Sequence, residues 1–262
     1  MTLPVRHFHL IRQLTRREIA ARYRGSVLGV LWSLVTPILT LGLYTFLFGV
    51  VFRTRWNVQA PEGRVEFALI LFVGLIVHGL LAECLARAPL LVLQHANLVK
   101  RVIFPLEILA PSVVASALFN AAIALAVWGL AATLAGQAPG WTALWLPLVL
   151  LPLILLALGV TWFLASIGVY VRDISHIIGL VTMVLLFLSP IFYRLEAVPA
   201  DFRPLVQINP LTFIVEQTRA VLVWHQMPDL PRLARASLAG LVAAGLGLAW
   251  FQRLRRGFAD VL

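Results

Sequence analysis

Arg22-Tyr23-Arg24-Gly25-Ser26-Val27-Leu28-Gly29-Val30-Leu31-Trp32-Ser33-Leu34-Val35-Thr36-Pro37 joins two unlike kinds of chain. Ahead of it lies an arginine-rich arm. Behind it, Ser26 to Phe52 runs for 27 residues without an Asp, Glu, Lys or Arg. About 20 apolar residues suffice to cross a hydrocarbon layer of ~30 Å. An Arg or Lys at the bilayer centre costs roughly 2.5–3.5 kcal/mol, so the arm stays at the surface while the apolar run enters. The junction predicts a chain that lies on a membrane and then threads it.

Composition agrees. Of 262 residues, 61% are hydrophobic and 12% charged, against ~25% charged in soluble domains. The net charge of +10 reads as positive-inside anchoring against anionic headgroups, not as a nucleic-acid footprint. The one cysteine, Cys84, excludes an intrachain disulfide. No cleavable signal peptide is expected, because the first apolar run far exceeds an h-region of about 7–15 residues.

Charge-free runs place the spans. The first covers Leu28–Phe52 and the second Phe67–Leu85, with Glu83 and Arg87 four apart on one helical face near its end. Ile108–Val171 carries no charge over 64 residues, roughly 96 Å of helix at ~1.5 Å per residue. That suits two crossings, divided at Gly136-Gln137-Ala138-Pro139-Gly140. The fifth covers Ile174–Phe192 and the sixth Leu233–Phe251. The fold class expected is thus an all-α membrane protein of six transmembrane helices in a single domain: an interfacial arm (1–26), spans one to five (28–192), an outer re-entrant region (193–232), span six (233–251) and a tail (252–262). An even count puts both ends on one side. Arg6, Arg12, Arg16, Arg17, Arg22 and Arg24 in the arm and Arg253, Arg255 and Arg256 in the tail make that side the cytoplasm. Trp56, Trp141, Trp145, Trp224 and Trp250 fall near span ends, as an interfacial belt would.

On a helical wheel the arm gathers Arg6, His9, Gln13, Arg16, Arg17 and Arg24 on one side. Phe8, Ile11, Leu14, Ile19 and Tyr23 lie on the other, interrupted by Arg12, Glu18 and Arg22. This predicts an amphipathic helix in the interface, the alternative being a solvated basic tail. Between spans five and six, Leu205–Val215 and Ala220–Trp224 are apolar, but Glu216, Arg219 and five prolines break the stretch. Asn209-Pro210 makes a helix start, with Asn as N-cap and Pro in the first turn. A short re-entrant hairpin follows, and at membrane depth such backbone must be buried in protein or face a watery cavity.

Motifs for chemistry are missing. His-Glu-x-x-His is absent and the histidines are scattered. Ser166 lacks the first glycine of a nucleophile elbow. Glu83, Glu107, Asp173, Glu196 and Glu216 sit near span ends, mostly with a basic neighbour, where structural pairing is the default and a mid-span proton relay is not formed. Lys100 is the sole lysine and no Gly-x-x-x-x-Gly-Lys loop surrounds it, so ATP-driven work requires a separate ATPase.

Four segments carry a resemblance. They are Tyr23–Trp32 with Pro37; Asn97-Leu98-Val99-Lys100-Arg101-Val102-Ile103-Phe104-Pro105; Tyr170-Val171-Arg172-Asp173-Ile174; and Ser189-Pro190-Ile191-Phe192 with Asn209-Pro210-Leu211. In this order they resemble the ABC-2 type permeases that export bacterial cell-surface polysaccharides, most of all the O-antigen and teichoic-acid branch. The resemblance implies a homodimeric pore in the inner membrane, docked on two copies of an ABC ATPase that binds ATP and Mg, with no cofactor in this chain. Its substrate would be a lipid-linked polysaccharide. It further implies ATPase-coupling contacts at Asn97, Leu98, Lys100 and Arg101 and at Arg172 and Asp173; plain positive-inside anchoring and a capped turn are the respective alternatives. Since sugar rings stack on aromatic faces, the expected path residues are Trp32, Tyr44, Phe48, Trp162, Phe187, Phe192 and Tyr193, each of which can instead be packed or lipid-facing. The same architecture exporting a lipid, drug or lipo-oligosaccharide, or a membrane-embedded enzyme of lipid-linked sugars, are the competing functions.

Overall fold

The computed structural model describes residues 8–22, 25–26, 28–51, 64–99 and 104–262. Every regular element among them is helical. In chain order they are α1 (Phe8–Arg22), α2 (Trp32–Tyr44), α3 (Arg64–Arg87), α4 (Leu91–Gln94), α5 (Ala96–Val99), α6 (Leu109–Leu134), α7 (Leu146–Tyr170), α8 (Ile174–Leu188), α9 (Arg203–Ile208), α10 (Pro210–Leu222), α11 (Leu230–Leu254) and α12 (Phe258–Val261). Four helical stretches are long and apolar enough to cross a membrane: Val65–Gln94, Leu106–Leu134, Trp141–Tyr170 and Leu230–Gly257. Two shorter apolar helices, Trp32–Phe48 and Ile174–Leu188, fall where the first and fifth spans are expected.

Local chemistry explains where each helix stops. The charge-free run of 64 residues is two helices, α6 and α7, parted at the expected turn: Gly136 lies at φ 79° and the Gln137 N–H bonds back to the Ala132 carbonyl at 2.8 Å, a Schellman closure. α8 ends at Leu188, four residues before the expected limit at Phe192. Ser189 precedes Pro190 and is forced to extended backbone, φ −81° and ψ 145°, because the proline ring excludes helix there. In α2, Pro37 sits inside the helix, and beyond Tyr44 the hydrogen bonding widens to i→i+5 through Thr45–Val51.

α7 and α11 form the tightest seam, built on close backbone approach. A Cβ on Gly247 would lie 2.1 Å from the Gly159 carbonyl oxygen, and one on Gly159 would lie 2.4 Å from that of Ala243. Small residues are how membrane helices gain dispersion contact when lipid already satisfies their apolar faces. α3, which is mostly buried, and α6 complete the core with α7: Phe72, Val73, Val77, Val113, Val114, Leu153 and Ala165 are all nearly inaccessible.

Between α8 and α11 the chain forms two short helices, α9 and α10, parted at the Asn209-Pro210 start that the sequence predicts. Asn209 caps α10, its side chain accepting from the Leu211 N–H at 3.0 Å and donating to Ser189 Oγ at 2.9 Å. α10 packs against α3 and α7. Its Arg219 is only 1% exposed. That guanidinium donates to the carbonyls of Ile70 (3.1 Å), Pro190 (2.6 Å) and Ile191 (2.8 Å), so one side chain pins α10 to the start of α3 and to the break after α8.

The first described helix and the C-terminal segment meet at one end of the bundle. α1 packs on α6, and its Glu18 receives bonds from Arg87 (2.5 Å) and Ser112 (2.8 Å). At the other terminus Arg255 pairs with Glu107, the Tyr170 hydroxyl donates to the Leu254 carbonyl at 3.0 Å, and Phe258 is fully buried against the rings of Tyr170 and Phe251.

Two substitutions test this packing. Gly247→Ala drives a methyl into the Gly159 carbonyl and lowers stability by about 3 kcal/mol. Gly245→Ala on the same helix meets nothing within 4 Å and is neutral or stabilising by up to about 1 kcal/mol. Equal melting temperatures for the two in detergent would refute the seam. Arg219→Met keeps bulk but leaves carbonyls without a donor, costing about 2–5 kcal/mol, read as a lower melting temperature than the wild type.

Candidate functional site

α2 is the element on which the candidate path residues converge. Trp32, Thr36, Thr40, Tyr44 and Phe48 recur every four residues, which on a helix turns by only about 40° per step. The stripe therefore winds through roughly 120° between Trp32 and Tyr44: Trp32, Thr36 and Thr40 turn to one cavity, and Tyr44 and Phe48 turn to a cluster of rings. Beside it, between α2, α3 and α6, opens a cavity of about 420 Å³ lined by Trp32, Ser33, Thr36, Thr40, Glu83 and Asn120 among others.

The termini end of this cavity is charged. Glu83 receives bonds from Arg22 and, at 2.9 Å, from the Asn120 amide, and it stands 3.6 Å from Arg87. Arg87 in turn reaches Glu18. The alternation Arg22–Glu83–Arg87–Glu18 binds α1 to the end of α3. It also explains the wheel: Glu18 and Arg22 break the arm's apolar arc because that arc, with Leu14 partly buried against the core, faces protein at this point. The sequence contained the signal, charges on the apolar side of an amphipathic helix, but not their partners.

Beyond the cavity, the far end of the helix is aromatic. Phe48 stacks on Tyr44 (6.0 Å between ring centroids) and on Phe192 (6.1 Å), and it meets Phe67 at 5.5 Å; Phe187 lies 5.9 Å from Phe192. Four of the seven expected path residues thus form one cluster, with Phe67 added. Phe187 is 59% exposed. Tyr193 stands next to Phe192 in the chain, its hydroxyl donating to the carbonyls of Phe187 and Leu188 at 3.1 Å. Trp32 stands at the other end of the same helix, its indole N–H on Ser26 Oγ at 2.8 Å. Trp162 does not join them. It is 5% exposed, packed in the core, and donates to the Glu107 carbonyl at 2.9 Å.

Four of the expected coupling residues are among those described. Asn97 is exposed and Leu98 half-buried in α5, with Leu98 packed against the core. Arg172 and Asp173 are exposed at the α7–α8 turn. Lys100 and Arg101 lie outside the described residues. The two turns are mechanically joined: a Cβ on Gly168 would lie 1.9 Å from the Pro89 carbonyl oxygen, so the end of α7 rests directly on the bend between α3 and α4. The residues missed by sequence reading are Thr36, Thr40, Asn120 and Arg219. The four-residue repeat on α2 marks the two threonines, and a lone arginine in an apolar helix, which must find acceptors, marks Arg219.

Comparison with known proteins agrees with this geometry. The model of the ABC-2 type transporter family matches residues 9–223. The chain is 28% identical over 253 residues to the O-antigen export system permease protein RfbA of Myxococcus xanthus, covering 96% of this chain and 94% of that one. It is 24% identical over 256 residues to the protein of the same name from Klebsiella pneumoniae, covering 97% and 95%. It is also 24% identical over 247 residues to the polysialic acid transport protein KpsM of Escherichia coli, covering 92% of each. A family match across α1 to α10, on an all-helical chain with four helices of spanning length, settles the class: the chain belongs to the ABC-2 type transporter family.

Proposed function

We propose that this chain is the membrane subunit of an ATP-driven exporter that moves lipid-linked cell-surface polysaccharide out of the bacterial cytoplasm. In this reading it is a homodimer in the inner membrane, with six spans per subunit, both termini cytoplasmic, and α1 in the interface. ATP and Mg bind a separate ABC ATPase. The names of the relatives support the substrate class. The observation that carries the reading is the winding stripe from Trp32 to Phe48 on α2 and its continuation, which offers hydroxyls and rings and no fixed charge of its own. A polymer that must slide needs many weak, repeated contacts. Stacking and hydroxyl contacts supply them without a deep binding minimum, and aromatic faces contribute about 0.5–1.5 kcal/mol each.

Nucleotide-driven movement would enter at the two exposed turns. Asn97 and Leu98, with Lys100 and Arg101, receive it on one side, and Arg172 and Asp173 on the other. Because the α7 end rests on the Pro89 bend, a push on either turn moves both α3 and α7. α8 follows α7 directly in the chain and carries Phe187 towards the aromatic cluster. Tyr44, Phe48, Phe187, Phe192 and Tyr193 would then line the outer part of the path and Trp32 its entrance, while the buried Trp162 supports the wall.

Deleting the gene tests the function. Surface polysaccharide disappears and lipid-linked polymer accumulates inside the cell; unchanged surface polymer overturns the substrate class. Coupling is tested separately in proteoliposomes holding the chain and its cognate ATPase. Replacing both Arg172 and Asp173 by Ala lowers transport and transport-linked ATP hydrolysis by tenfold or more, about 1.4 kcal/mol of coupling. The same exposed double variant changes stability by no more than about 0.5 kcal/mol each, so its melting temperature stays near that of the wild type.

A further inference from the structure

The last span marks its own depth. Arg235 and Arg253 bracket the uncharged run from Ala236 to Gln252, and 18 residues at ~1.5 Å place them about 27 Å apart, close to the ~30 Å of hydrocarbon. Arg253 lies at the termini end of the bundle, so Arg235 stands at headgroup depth at the other end. There α7, α10 and α11 leave a groove of about 460 Å³. Its floor is apolar, formed by Pro152, Leu156, Phe213 and Ala239, and Arg232 and Arg235 stand at its rim. Both arginines are exposed. Arg232 reaches Asp229 at 3.1 Å. Arg235 makes no hydrogen bond or ion pair with any of the described residues.

A guanidinium at the edge of the hydrocarbon, one helical turn from a second, with apolar wall running deeper below it, has the chemistry of a phosphodiester site. Arginine's planar fork takes two phosphate oxygens at once, and an acyl chain fits the wall beneath. We propose that this groove seats an anionic glycerophospholipid of the bilayer, its phosphate on Arg232 and Arg235 and one acyl chain on Pro152, Leu156, Phe213 and Ala239. Charge favours an anionic lipid over a zwitterionic one, which brings its own cation against the arginine pair. Position favours a bilayer lipid over exported cargo: the groove lies among α7, α10 and α11, whereas the polar face of α2 lines a cavity with α3 and α6. The lipid would brace the entry of α10 against the α7–α11 seam, and this holds whatever the exporter carries.

Native mass spectrometry and melting curves of the purified full chain, with phosphatidylglycerol or phosphatidylcholine added, test the assignment without any transport assay. Phosphatidylglycerol is retained as a discrete adduct and raises the melting temperature, and phosphatidylcholine does neither. Arg232→Gln with Arg235→Gln weakens that binding about thirtyfold, from ~1 kcal/mol per arginine at a membrane surface. Ala239→Leu fills the floor, leaves the arginines in place and also weakens it, which decides the matter should the double variant fail to fold. Arg253→Gln, the same loss of charge at the other end of the helix, leaves the adduct unchanged. Equal retention of the two lipids, wild-type binding by Ala239→Leu, or an equal loss in Arg253→Gln would overturn the proposal. So would tighter retention of a polyprenyl phosphate that displaces phosphatidylglycerol, since the groove would then serve the lipid carrier.

Discussion

Hydrocarbon offers no hydrogen bonds, so each carbonyl freed where a helix breaks inside it must find a donor in the chain. The same need holds for carbonyls buried in protein, and this fold breaks helices after Leu188 and at Asn209, with consequences that run through its distal half. Arg219 is what makes the break after α8 tolerable, because one planar group donates to three carbonyls from two distant segments. Burying a cation is costly, and a cation placed against carbonyl dipoles recovers much of that cost through charge-assisted bonds. Asn209 and Ser189 close this stretch with neutral groups, and Thr212 adds a bond to the Val206 carbonyl at 2.5 Å. The α9–α10 segment is therefore fixed by polar contacts, in a region where packing alone would not distinguish one register from another.

The two ends of the bundle are held by different physics. At the termini end, ion pairs join α1 to α3 and the C-terminal segment to Glu107, and the Gly168–Pro89 contact locks two turns together. At the distal end, rings and backbone bonds dominate. Between them, α2 and α8 bury only Ser33 and Ile178 respectively, while α6 and α7 bury a large share of their length. Sparse burial marks the elements that open at least cost. The polar face and most of the aromatic cluster ride on these two helices, so the surface assigned to cargo is also the one freest to move against a rigid α3–α6–α7–α11 core.

Runs free of charge made four helices of spanning length legible, because an uninterrupted apolar run has few alternatives once it exceeds the bilayer thickness. The Gly136–Gly140 division and the Asn209-Pro210 cap were equally readable, since both rest on backbone chemistry local to a few residues. The limit at Phe192 was not, because hydropathy continues past Pro190 while the backbone cannot. The aromatic cluster was partly legible: Tyr44, Phe48, Phe187 and Phe192 come together. Trp162 has the same composition signal and a buried position, because which face of α7 meets α6 depends on packing. The partners of Glu18, Arg22 and Arg219 were hidden for the same reason. Each lies 61 or more residues away for Glu18 and Arg22 and up to 149 for Arg219.

The lengths of α2 and α8 bear on what surrounds them. Helical backbone runs unbroken over residues 29–51 around α2, whereas Ile174–Leu188 is 15 residues, or about 22 Å at ~1.5 Å per residue. α8 falls short of the ~30 Å that lipid chains occupy, whereas α7 and α11, at 25 residues each, exceed it. A short apolar helix exposed to lipid must thin the bilayer around it, and association with protein relieves that mismatch. The outward residues of α8, and of α2 with its continuation, are large and apolar, among them Ile38, Leu39, Phe46, Leu180, Met183 and Val184. The long helices of the α7–α11 seam on one side, and the short α8 with the equally little-buried α2 on the other, divide the molecule into a side suited to lipid and a side suited to protein. In the proposed homodimer the second side is where two copies would meet, placing the Trp32–Phe48 stripe of each subunit at the shared boundary.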